Sequence, residues 1–180
     1  MIEINFSPAD LDEVQRVADI RHLPKVEAGI KDNCYATHKM TPAQSHFNGL
    51  LGEFAAAYYI GGEVDKTYNP KGDKGRPDFY VNGLGIEVKY TNLFRGDFIV
   101  PNRVIDPLNF RADIGIVCHP GYNTRRVILA AWVTREIFLS DYHIRNYGDG
   151  DRTAITQSNM RFMSELMDFI YGERSSMVER

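Results

Sequence analysis

Cysteine is nearly absent from this chain. Cys34 and Cys118 are the only two in 180 residues. They lack the paired spacing of metal-binding cysteines, which argues against a structural zinc site, an iron–sulfur cluster and a disulfide framework. Cys118 closes an apolar run and is expected in the core. Long hydrophobic runs are missing as well. The longest, Phe54 to Ile60 and Val127 to Val133, fall far below the roughly 20 apolar residues that span a bilayer. Met1-Ile2-Glu3-Ile4-Asn5 has neither the basic region nor the apolar core of a secretory signal, so a cytoplasmic protein with no membrane partner is expected. No G-x-x-x-x-G-K-[ST] phosphate loop and no G-x-S-x-G nucleophile elbow occur. The histidines His22, His38, His46, His119 and His143 are scattered, with no H-E-x-x-H pair. A large charge of one sign is lacking too, the net charge being −3.

What is present describes one folded unit. Apolar residues make up 43% and aromatics 12%, a globular composition, and the length suits a single domain with a substantial core. No repeat or low-complexity linker divides it. The charge is unevenly spread. Lys66 to Arg111 carries eight Lys or Arg against five acids, whereas the remainder carries 13 against 19. Such a local excess can engage phosphates despite an acidic whole, although an ordinary fluctuation in surface charge would look the same.

At the centre of the basic region, Phe79-Tyr80-Val81 and Leu84 to Tyr90 flank Asn82-Gly83. Asn-Gly between two strand-like runs predicts a β-hairpin with a two-residue turn. In that register Val81 faces Leu84 and Asp78 faces Glu87, with opposed Cβ atoms roughly 5 Å apart. Glu87 and Lys89 share a face, with Ile86, Val88 and Tyr90 on the other. Asp78, Glu87 and Lys89 thus converge on one side. Facing carboxylates repel unless a cation lies between them, although a solvated strand face can carry such residues by chance.

The preceding helix adds a third acid. Thr41-Pro42 predicts its start and Gly61-Gly62 its end. Between Met40 and Gly62 the only charged residue is Glu53. Phe47, Leu50, Leu51, Phe54 and Tyr58 form an apolar stripe, and Ala56, Ala57 and Ile60 extend it, so the helix is expected to be buried nearly all round. A lone carboxylate there needs a partner: the proposed site, an arginine elsewhere, or solvent. His46, seven residues earlier, lies on a neighbouring helix face and reads as structural.

Glu53, Pro77-Asp78 and Glu87-Val88-Lys89 together resemble the PD-(D/E)xK nuclease superfamily, which includes many restriction-type, repair and phage nucleases. The resemblance runs from Thr41 to Phe138, more loosely through Ala112 to Val117 and Val127 to Phe138. It implies an α/β fold with a central mixed sheet flanked by helices, a restriction-endonuclease-like core. It also implies Mg²⁺-dependent phosphodiester hydrolysis of DNA, with Mn²⁺ as a substitute. Asp78 and Glu87 would ligate the metal with the Val88 carbonyl, and Glu53 would complete the shell directly or through water. Lys89 would position or activate the attacking water. A binding module on the same fold with little catalysis, for nucleic acid or protein, is the alternative, as is an RNA or junction-specific nuclease. Double-strand cutting would favour a homodimer.

The remaining expectations are coarser. Ser7-Pro8 predicts a helix running to about Gly29, with Leu11, Val14, Val17, Ala18 and Ile20 inward; it forms an N-terminal extension over about 7–40, ahead of a core over about 41–139. Asp32 to Lys39 reads as a loop and Glu63 to Tyr68 as a strand. Asn69 to Arg76 reads as a flexible loop whose Lys71, Lys74 and Arg76 either contact phosphate or merely connect. Phe98-Ile99-Val100 reads as a short strand, Arg103 to Asn109 as irregular, and Asp113 as a structural residue. Met160, Met163, Met167 and Ile170 are spaced as one face of a C-terminal helix over about 156–172.

Overall fold

A computed structural model of the chain describes residues 1–27, 41–67, 76–100, 107–147 and 150–172. Its framework is a mixed sheet with strands in the order β1-β6-β5-β3-β2, where β1 is Ile2–Asn5, β2 Phe79–Val81, β3 Leu84–Tyr90, β5 Ile114–Pro120 and β6 Arg126–Thr134. β3 and β5 run parallel, and the other neighbours are antiparallel. Short β9 (Arg161–Phe162) pairs with β6 at Ala131 and Trp132, beyond the stretch that pairs with β1. The far edge of β6 is therefore covered by two strands.

Two long helices cover one face. α1 (Pro8–Glu27) opens on a reciprocal cap, in which the Asp10 amide donates to Ser7 Oγ (3.2 Å) and the Ser7 amide to Asp10 Oδ2 (2.8 Å). α2 (Pro42–Ile60) starts at N-cap Thr41, also with a capping box, and ends at Gly61, as its sequence predicts. Leu50 to Ala57 are buried without a break. Two inward expectations fail. Ile20 is exposed, and so is Tyr58, whose hydroxyl donates to Asp10 (2.7 Å) and so prefers the surface.

The other face is covered differently from expectation. A second sheet, β4-β8-β7, packs there with α3 (Arg135–Asp141), where β4 is Phe98–Val100, β7 His143–Asn146 and β8 Asp151–Ile155. Successive strand residues point to opposite faces. Accordingly, Ile116 joins the core under α1 and α2, while its neighbour Val117 joins the core built on Phe98, Phe110 and Phe138. The protein is thus mixed α/β, with helices on one face of the main sheet and a small sheet plus a helix on the other.

The expected strand at 63–68 does not form over its described residues, 63–67; Val64 alone is buried there. Pro107–Asn109 forms a single 3-10 turn. The expected C-terminal helix is broken. Gln157–Asn159 and Met163–Glu165 are 3-10 turns, β9 lies between them, and only α4 (Leu166–Tyr171) is α-helical. Met160, Met163 and Ile170 are nonetheless buried. The 32–39 loop, Cys34, Lys71, Lys74 and residues 103–106 lie outside the described residues. No helix among those described is long and apolar enough to cross a membrane.

Candidate active site at the open sheet edge

The Asn82-Gly83 turn sets the site's register. Both residues have positive φ, 50° and 82°, as a type I′ hairpin requires. Val81 pairs with Leu84, Tyr80 with Gly85 and Phe79 with Ile86. Regular pairing stops there, one residue short of the expected Asp78–Glu87 pair. Asp78 instead closes the strand end. Its amide donates to the Ile86 carbonyl (2.8 Å), and its Oδ2 accepts the Val88 amide (2.7 Å). The amide and carbonyl of a strand residue face the same edge, so the Val88 carbonyl also faces the edge that β2 leaves uncovered.

Along β3, Ile86 and Val88 are buried against the helices, and Glu87 and Lys89 lie half-buried on the opposite face. The Lys89 ammonium is ion-paired with Glu87 Oε1. Asp113, at the start of β5, behaves as the structural residue expected. Its Oδ2 accepts the Gly85 amide (2.7 Å) and its own amide donates to the Gly85 carbonyl (2.8 Å), fixing β3 against β5.

Glu53 reaches the site because α2 lies very close to the sheet. A Cβ at Gly52 would come within 2.6 Å of Cys118 Sγ and 3.4 Å of Val88 Cγ1, so any larger residue there would lift the helix. Arg21 meets Glu53: its Nη1 donates to Oε2 (3.0 Å) and Oε1 (3.2 Å), and its Nη2 to the Asp65 carbonyl. The sequence signalled that Glu53 needs a partner but left its identity open. The available cue is that Arg21 continues the inward face of α1 through Val14, Val17 and Ala18, three residues on. The His46 ring packs against that of His22, with centroids 5.0 Å apart.

The electrostatics tie these groups together. Burial pushes the Glu53 carboxyl up to about 7, against the pull of Arg21 and with a further push from Glu87. Burial likewise raises the Asp78 carboxyl well above its usual range, helped by the charges of Glu53 and Glu87. Burial lowers the Lys89 ammonium, but Glu87, Asp78 and Glu53 outweigh it and hold the group above the ordinary lysine value. Burial also raises the Cys118 thiol, with Asp78 and Glu53 adding to the shift, so it is inert. Three carboxylates therefore face two cations, Arg21 and Lys89, and the ionised cluster carries a net negative charge.

Among the described residues no group of three His, Cys, Asp or Glu is gathered closely enough to hold a metal ion alone. The donor chemistry still fits a hard cation with few protein ligands. Asp78 engages Val88 through Oδ2 and Glu87 engages Lys89 through Oε1, so each has a second oxygen to offer beside the Val88 carbonyl. Mg²⁺ commonly takes one or two carboxylates and keeps several waters. Glu53, with both oxygens on Arg21, suits an outer position.

Asp78 also borders a cleft of about 550 Å³ between the 63–66 segment and the start of the hairpin, with Arg21, Lys66, Arg76 and Tyr80 among its walls. Arg76 is exposed there. Comparisons with protein-family models, curated proteins and solved structures found no match to this chain.

Proposed function

We propose that this chain is a Mg²⁺-dependent nuclease that hydrolyses phosphodiester bonds in DNA, built on a restriction-endonuclease-like core. The observation that carries the reading is the open edge at Val88. There Asp78, Glu87 and Lys89 gather beside buried Glu53, and the acids outnumber the cations. A divalent cation would reverse that imbalance. When bound, it would supply a water of lowered pKa and polarise the phosphoryl oxygen.

The chain's own residues would do the rest. Asp78 and Glu87 hold the site through one carboxylate oxygen each, with Asp78 itself fixed by the Val88 amide. Lys89, kept charged by its acidic neighbours, acts as a cation: it orients the attacking water and stabilises charge developing on the phosphorane oxygens. Arg21 holds Glu53 in place and limits the repulsion among the acids.

The test is a cleavage panel of supercoiled plasmid, linear duplex, single-stranded DNA, branched DNA and RNA. It is run with Mg²⁺, Mn²⁺ or EDTA, beside Lys89→Ala purified identically. Cutting that needs metal and is lost in the variant supports the reading and identifies the substrate. A folded protein that cuts nothing overturns it in favour of a binding module.

A further inference from the structure

The cleft beside Asp78 is left unused by the proposed chemistry. We infer that it seats one unpaired nucleotide of the substrate strand, with the base stacked on Tyr80 and a phosphate held by Arg76 and Lys66. This rests on the nuclease reading for its placement next to the scissile bond.

The walls suit that ligand. Tyr80 is 61% exposed although it lies within a strand. It is also well seated, because a Cβ at Gly85 would come within 2.5 Å of Pro77 Cγ and 3.4 Å of Tyr80 Cε1. Both rings therefore lie over the bare backbone of Gly85, and a ring so placed offers a platform with little ordering cost. A base inside a duplex keeps its faces stacked on its neighbours, so a base that leaves the stack to sit singly on Tyr80 within the cleft is unpaired.

The charges fit as well. Arg76 and Lys66 border the cleft with Arg21, which is committed to Glu53. Lys66 pairs with Glu13 at 3.0 Å, but the two side chains are 45% and 33% exposed, and such a solvated pair is weak enough to yield to a phosphate. Two acids, Glu63 and Asp65, also line the space. Asp65 is turned to Thr67, accepting from its amide (2.9 Å) and hydroxyl (2.7 Å). The volume of about 550 Å³ lies in the range of small-ligand pockets. A concave pocket of that size takes one splayed nucleotide and has no room for a double helix.

The experiment is fluorescence anisotropy of the full chain with a labelled single-stranded oligothymidylate and with a blunt duplex, in Ca²⁺ and in EDTA. The wild type should bind the strand at least about tenfold more tightly than the duplex. Tyr80→Ala should weaken strand binding by about 5- to 150-fold, the range that loss of one stacked base gives. Tyr80→Phe should stay within about twofold of the wild type, and Arg76→Ala should flatten the salt dependence by about 0.7 in log–log slope. The exposed position of Tyr80 leaves the core intact in both variants, which thermal melting verifies.

Equal affinity for duplex and strand, no strand binding by the wild type in either buffer, or unchanged binding by Tyr80→Ala overturns the inference. The two readings fail separately. Strand binding that depends on Tyr80, without metal-dependent cutting, retains the cleft and rejects the nuclease. Metal-dependent cutting with Tyr80→Ala binding as the wild type does the reverse.

Discussion

Two acidic clusters of this protein have opposite electrostatic balance. In the smaller sheet, Asp97 faces more donors than it has charge. The Tyr147 hydroxyl donates to its Oδ2 at 2.5 Å, and His143 Nε2 and Arg145 Nη1 lie 3.5 and 3.9 Å from the same oxygen. Burial, then the adjacent Asp97, keep the Tyr147 phenol protonated well above its usual range. At the open edge of the main sheet the ratio is inverted: Asp78, Glu87 and Glu53 share Lys89 and Arg21. Buried polar groups that are fully satisfied stiffen a fold, whereas an excess of one charge is costly unless a ligand relieves it. Under the proposed function, the Asp97 cluster serves stability and the Asp78 cluster serves binding and chemistry.

The sharpest way to break that division is to remove one acid from the Asp78 cluster. Glu87→Ala should lower cleavage by at least about 100-fold, the scale on which one group stabilising a transition state is lost, with DNA binding changed much less. Single-turnover cleavage and equilibrium binding on the same preparation check it, and equal activity would remove Glu87 from the chemistry. The next effect concerns folding. Arg21→Ala leaves Glu53 buried without its partner and should cost about 3 kcal/mol of unfolding free energy, near the lower end for breaking a buried pair because Arg21 is partly exposed. Adding Glu53→Gln to Arg21→Ala should recover part of that loss. Urea titrations of the wild type, both single variants and the double variant close the cycle.

The two clusters were also unequally legible in the sequence. The Asp78 edge was read because its determinants are local. Asn82-Gly83 fixes the hairpin, alternation from Ile86 to Tyr90 fixes the faces, and Thr41-Pro42 and Gly61 fix the helix that carries Glu53. The missing parts depend on residues far apart in the chain. Arg21 meets Glu53 across 32 positions, and the second sheet joins Phe98–Val100 to Asp151–Ile155, across more than 50. β7 shows almost no apolar alternation, its residues being mostly exposed. The Met160–Ile170 stripe misled for a different reason. Met160 and Met163 flank the short strand β9 and are both buried without any helix between them, while Met163 and Leu166 are brought inward by the 3-10 turn at Met163–Glu165.

Acidity offers a further comparison. Glu53 titrates at about 7 in the folded chain against 4.5 ordinarily. Between those values the folded protein holds a proton that the unfolded chain has released, so its contribution to stability falls as pH rises through 7. The full contribution is of the order of 3 kcal/mol. Glu53→Gln is permanently neutral. Its unfolding free energy relative to the wild type should therefore grow more favourable from pH 5 to pH 8 in EDTA. A difference that stays flat over that range would mean that Glu53 is ionised throughout, and that Arg21 alone balances it.

The smallest effect should come from the satisfied cluster. Asp97→Asn keeps an oxygen for the Tyr147 hydroxyl and removes only the charge that His143 and Arg145 face. Arg145 is 66% exposed and 3.9 Å away, so its share is screened by solvent; the change should cost about 1 kcal/mol, mostly from the hydrogen bond of Tyr147 becoming neutral. Cleavage should be unaffected, because Asp97 directs its hydrogen bond and ion pairs to Tyr147, His143 and Arg145 rather than to the groups of the proposed site. Unfolding free energy and metal-dependent cleavage, measured together, separate the roles. A tenfold fall in cleavage with stability unchanged would place the Asp97 cluster in the reaction, and charge balance would then no longer distinguish the structural acids of this fold from the chemical ones.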